Sequence, residues 1–68
     1  MNLETQKMQP LEIKIAMLRA NVSQKEIAED LKISQAAVSL TIKGTSKSER
    51  IRQRIAKAIG KPITEIWT

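Results

Sequence analysis

The chain has no cysteine, no histidine, no tyrosine and no phenylalanine, and its one aromatic residue is Trp67. Each absence removes a class of protein. Without cysteine there is no disulfide staple. Without cysteine and histidine the usual zinc sites cannot be built. The missing thiols fit a cytosolic protein. No paired carboxylates stand in an apolar setting, and the two glycines form no phosphate-cradling loop. An enzyme, a metal and a cofactor are therefore not expected. Proteins that read single strands or RNA usually stack bases on aromatics, and only Trp67 is present. No apolar run approaches the ~20 residues of a membrane span. The opening "MNLETQKMQP" has no apolar signal core. A cytoplasmic location without membrane contact is the expectation.

What remains is 68 residues rich in Ile, Leu, Val and Ala. That composition suits an all-α domain better than a β one. Domains of this size bury only about 60% of their unfolded surface, so good local structure or a partner must help. There is no room for a ligand-sensing domain, and no small-molecule ligand is expected. Residues 1–9 read as a polar, flexible N-terminus and residues 10–68 as the single domain.

Charge is unevenly placed. Residues 1–42 hold five bases and five acids, whereas residues 43–61 hold seven bases against Glu49 alone. A basic block of this kind favours a polyanion, nucleic acid or an anionic surface. Its bland alternative is a solvated helix face.

Helix signals follow in close order. Pro10 suits a first helical position. Leu11, Ile15, Leu18 and Val22 then keep a helical stripe, widened by Ile13, Ala16 and Met17, which predicts a helix buried on more than one side. Asn21 is a left-handed stop. "SQKE" at 23–26 is a capping box, followed by the stripe Ile27, Ala28 and Leu31. Ile33 plugs a tight connection. Ser34 caps the next helix, whose inner face is Val38, Thr41 and Ile42 and whose stop is Gly44. "SKSE" at 46–49 reads as a second capping box. It leads into Ile51, Ile55, Ala58 and Ile59, with Arg50, Arg52, Arg54 and Lys57 around them. Gly60 stops that helix. Pro62 opens a last one, in which Ile63, Ile66 and Trp67 close the core. Trp67 has a second reading as part of a dimer patch.

The helix at 35–43 has an outer face without carboxylates. With Val38 pointing inward and 100° per residue, Ala36 falls at about 160° and Leu40 at about 200°. Ser39 and Lys43 lie on one flank, and Gln35 is in the exposed first turn. A helix seated in the major groove needs short side chains and no acids facing phosphate. Gln35 can pair with adenine, and Ala36 and Leu40 can touch thymine methyls. A face covered by another protein would also favour Ala and Leu.

Helices 24–31 and 35–43 are joined by a turn too short for an antiparallel pair, so they must cross steeply. Ala28 is small enough to let the second approach the first. The segment "SQKEIAEDLKISQAAVSLTIKG" resembles the helix-turn-helix of lambda-repressor/Cro-like (XRE-type) domains at Gln24, Ala28, Leu31, Ile33, Ser34, Val38 and Gly44. The following "TSKSERIRQRIAKAIGKPITEIW" resembles short phage regulators of the Ner-like branch. The likeness covers about residues 10–68. It departs from the pattern at Lys32, where Gly is common, and at Thr41, where a larger aliphatic is.

The resemblance implies a five-helix domain that binds double-stranded DNA and regulates transcription, as a (pro)phage-type repressor. Gln35, Ala36, Ser39 and Leu40 would contact bases. Gln24 would bind a phosphate and brace Gln35. Ser34, Lys43, Thr45, Ser46, Lys47, Ser48 and Arg50 would contact the DNA backbone, helped by the positive end of the following helix. Arg52 and Arg54 would supply long-range field or a solvated face. A homodimer on a palindromic site stays open. The rival is a protein-interaction module such as an antitoxin.

Overall fold

The computed structural model describes residues 6–67. Its elements are α1 (Pro10–Arg19), α2 (Gln24–Leu31), α3 (Gln35–Lys43), α4 (Glu49–Ile59) and α5 (Ile63–Ile66). The all-α, five-helix expectation holds. Among the described residues no helix is long and apolar enough to cross a membrane.

Local chemistry sets most boundaries. Ser23 Oγ accepts from the Glu26 amide at 3.0 Å, and the Glu26 carboxylate takes the Ser23 amide at 3.3 Å, completing the box. Ser34 Oγ accepts from the Ala37 amide at 3.1 Å. The start of α4 differs from expectation: Ser48, not Ser46, is the cap, and its hydroxyl accepts from Ile51 N–H at 3.4 Å. The amides of Thr45 and Ser46 both bond to the Leu40 carbonyl, at 3.0 and 3.2 Å. Those bonds hold the loop against the end of α3, so the helix cannot begin at Lys47.

The first four helices stop in one way. The amides of Val22, Ile33, Thr45 and Lys61 reach back five residues to Met17, Ala28, Leu40 and Ala56. The residue before each is left-handed: Asn21 (φ 61°), Lys32 (φ 58°), Gly44 (φ 87°) and Gly60 (φ 72°). These are Schellman closures. Lys32 therefore occupies a backbone that disfavours a β-carbon, at a cost of roughly 1–2 kcal/mol.

The core joins Ile13 and Met17 of α1, Ile27 and Ala28 of α2, Val38 and Ile42 of α3, Ile51, Ile55 and Ala56 of α4, and Ile66 and Trp67. Thr41 is fully buried too, and its hydroxyl is satisfied by the Ala37 carbonyl at 3.0 Å. The expected stripe on α1 is corrected. Leu11, Ile15 and Leu18 are 67%, 42% and 76% exposed, while Ile13 and Met17 are buried. The two sets share a helical period but lie on opposite sides, and the other helices cover only one.

Residues 6–9 also depart from a flexible terminus; residues 1–5 lie outside the described ones. Gln6 forms an antiparallel bridge with Trp67, and the amides of Lys7 and Met8 bond to the Ile66 carbonyl at 2.9 and 3.1 Å. Gln6 Nε2 donates to the Ile42 carbonyl at 2.7 Å. This clasp explains Trp67, which is 1% exposed, under Gln6 and with the Arg52 guanidinium 5.1 Å from its ring centre. It is core, and a dimer patch cannot use it.

Candidate nucleic-acid interface

Only Lys32, Ile33 and Ser34 separate α2 from α3. The left-handed Lys32 turns the chain, Ile33 packs against the core, and Ser34 starts α3. Ala28 is buried where the two helices meet. Val38, Thr41 and Ile42 anchor the inner side of α3. Its rotation is thereby set, and its outer side is a consequence.

That outer side places Gln35, Ala36 and Leu40 in solvent, with Ser39 half-buried beside them. Leu40 is 46% exposed. No carboxylate occurs in α3, and Lys43 stands exposed in its last turn. The following loop brings exposed Thr45 and Lys47 and half-buried Ser46 and Ser48 beside the end of the helix. The structure thus brings together Gln35, Ala36, Ser39, Leu40, Lys43 and the 45–48 loop around one helix.

Several of these groups already have internal duties. Ser34 and Ser48 are caps, and Thr45 Oγ1 donates to the Leu40 carbonyl at 3.1 Å. Their hydroxyls are held in place, which suits a preformed surface. Gln24 is half-buried at the start of α2 and forms no hydrogen bond with Gln35 among the described residues.

The arginines of α4 behave differently from a solvated basic face. Arg50 Nη2 donates to the Leu31 carbonyl at 2.9 Å, tying α4 to the end of α2. Arg54 places Nε and Nη2 on Asp30 Oδ2, at 3.2 and 2.6 Å. Arg52 lies over Trp67. All three brace neighbouring elements, and only Arg50 does so close to the loop after α3. Lys43, Lys47 and Arg50 are all exposed; among the described residues the two lysines form no ion pair, whereas Arg50 is held by the Leu31 carbonyl.

One contributor has no local signature in the sequence. Gln6 reaches the carbonyl of Ile42 across 36 residues, and a β-carbon added at Gly44 would collide with Gln6 Oε1. Gln6 thus pins the C-terminal end of α3 from below. Nothing near residue 6 announces this, because the contact is wholly tertiary.

Searches of curated proteins and of solved structures return no significant match. A helix-turn-helix family model matches residues 13–66, from the buried Ile13 of α1 to the buried Ile66 of α5. With that match and this geometry, the chain belongs to the helix-turn-helix family, a family of DNA-binding transcriptional regulators.

Proposed function

We propose that the protein recognises a specific double-stranded DNA site by seating α3 in the major groove. The observation that carries this is the outer face of α3. It is exposed, free of acid and built of short or neutral side chains, with Lys43 and Lys47 beside it. Gln35, Ala36, Ser39 and Leu40 read base edges. Gln24, Ser34, Lys43, Thr45, Ser46, Lys47, Ser48 and Arg50 hold the DNA backbone. Phosphate contacts fix register and base contacts supply sequence. The DNA-binding domain spans residues 10–68, extended by the clasp at Gln6–Met8.

In this reading the protein is a small transcriptional repressor of (pro)phage type, acting in the cytoplasm, and a two-fold site is bound by two copies. The phage assignment rests on the likeness of residues 45–67 to Ner-like regulators. The repressor role follows from blocking a promoter by occupancy, which needs no contact beyond the DNA surface of α3 and its loop.

Selection of bound duplexes from a random pool tests the proposal. An enriched motif with two-fold symmetry is expected. No enrichment over the input pool would transfer the bare face of α3 to a protein partner, as in an antitoxin.

A further inference from the structure

The outer face of α1 is a second uncharged surface, and nothing in the DNA reading uses it. From Ile13, which is buried, Leu18, Leu11 and Ile15 lie at about 140°, 160° and 200° around the helix. They form one ridge, 76%, 67% and 42% exposed. Isolated exposed leucines are ordinary, but a contiguous apolar ridge on so small a protein marks an interface. The ridge continues into a groove between α1 and the end of α4, whose apolar lining of Met8, Ile15, Ala16, Ala20 and Ile59 is joined by the charged Glu12, Arg19 and Lys61.

The spacing names the kind of partner. Positions 11, 15 and 18 step by four and three, the seam that pairs one helix with another. The edges then choose the partner and its direction. Glu12 and Arg19 lie on the same edge, at about 260° and 240°, two turns and roughly 10 Å apart. Lys14 lies on the opposite edge at about 100°. Arg19 has no ion-pair partner among the described residues. In an antiparallel pair of identical helices, like edges face each other. A two-fold axis between Ile15 and Ala16 then sets each Glu12 against Arg19 of the second copy, so both ends are matched at once. In a parallel pair Arg19 would face the Lys14 edge, which offers no acid. An anionic lipid surface would call for cations along both edges, and Glu12 breaks that pattern.

We infer that two copies of this chain associate through α1, antiparallel, with Leu11, Ile15 and Leu18 at the centre and Glu12–Arg19 pairs at the ends. This names the surface for the dimer proposed above, and it rests on that reading only for what the dimer does on DNA. The inner sides of α1 and α3 share the core, so pairing through the outer side of α1 leaves the outer side of α3 open. Three apolar side chains per copy make a small interface, and the association is of the transient class.

Sedimentation equilibrium of the free protein tests it. The wild-type mass rises from one chain towards two as concentration climbs through the micromolar range. Leu18→Ser stays at one chain. Arg19→Glu and Glu12→Arg each self-associate about tenfold more weakly, since like charges now face each other. An equimolar mixture of those two variants recovers the wild-type association, because each supplies the charge the other lacks. Thermal melts confirm that each variant is folded; Glu12 Oε1 also accepts from the Gln9 amide at 2.7 Å at the start of α1, and if loss of that cap unfolds Glu12→Arg, Arg19→Glu with and without added salt replaces the mixture, salt restoring its association. A duplex carrying a single half-site separates the two readings. If no variant binds it, the DNA reading fails while the sedimentation result stands. A wild-type protein that stays at one chain throughout, or a Leu18→Ser variant that associates as the wild type does, overturns the inference.

Discussion

α1 and α3 each turn an uncharged face outward, yet the faces are built for different partners. On α3 the exposed residues are Gln35, Ala36 and Leu40, with half-buried Ser39 and only cations nearby. On α1 they are Leu11, Ile15 and Leu18, edged by an acid and two bases. Small and polar side chains beside lysine suit a polyanion whose groove needs close approach. Large branched side chains between charges of both signs suit another protein surface. Lack of charge alone is therefore ambiguous, and the size of the bare residues and the sign of their neighbours decide.

That contrast can be broken most directly by giving each face the same carboxylate. Ala36→Glu is expected to weaken DNA binding by about 100-fold or more, about 2.7 kcal/mol, by setting a carboxylate against phosphates. Leu18→Glu should leave binding to a single half-site within about twofold, since rim changes far from phosphate matter little. Titration of both variants against one half-site duplex checks this, and equal losses would erase the distinction. The two glycine stops offer the next comparison. Both are left-handed, but only Gly44 is overlain by Gln6. Gly60→Ala should lower stability by about 1 kcal/mol and Gly44→Ala by about 2 kcal/mol. Pairing Gly44→Ala with Gln6→Ala should recover part of the excess in thermal melts.

Salt provides a finer probe. With Lys43, Lys47 and Arg50 as the cations at the α3 surface, log K should fall with log salt at a slope of about −3 per copy. Lys47→Ala should bring it closer to zero by about 1 on any duplex. A slope near zero for the wild type would remove phosphate contact from the account. The smallest effect belongs to the turn. Lys32→Gly should raise stability by up to about 1 kcal/mol, because φ there is 58°. A lower melting midpoint for this variant would mean that the lysine side chain contributes something its backbone conformation does not reveal.

Features written locally were legible. The caps at Ser23 and Ser34 and the stops at Asn21, Gly44 and Gly60 depend on neighbours within a few residues. The α1 stripe was not. A helical period identifies which residues share a face, but Ile13 with Met17 and Leu11 with Ile15 and Leu18 are both apolar sets. Only the packing of the other helices shows which one is covered. Ser46 lost the cap to Ser48 because the Leu40 carbonyl holds the loop, a contact no capping pattern encodes. At the candidate site, the exposure of Gln35, Ala36 and Leu40 followed from the period once Val38 was set inward. The bracing roles of Arg50, Arg52 and Arg54, and the reach of Gln6 to α3, depend on distant elements and left no pattern to read.

The central proposal is that α3 reads sequence. Its most direct test is Gln35→Ala, titrated against a selected duplex and a scrambled one at the same salt. The account predicts a loss of about 1–3 kcal/mol on the selected duplex and little change on the scrambled one, with relaxed preference at one or two base pairs. An equal loss on both duplexes, or none on either, would contradict it.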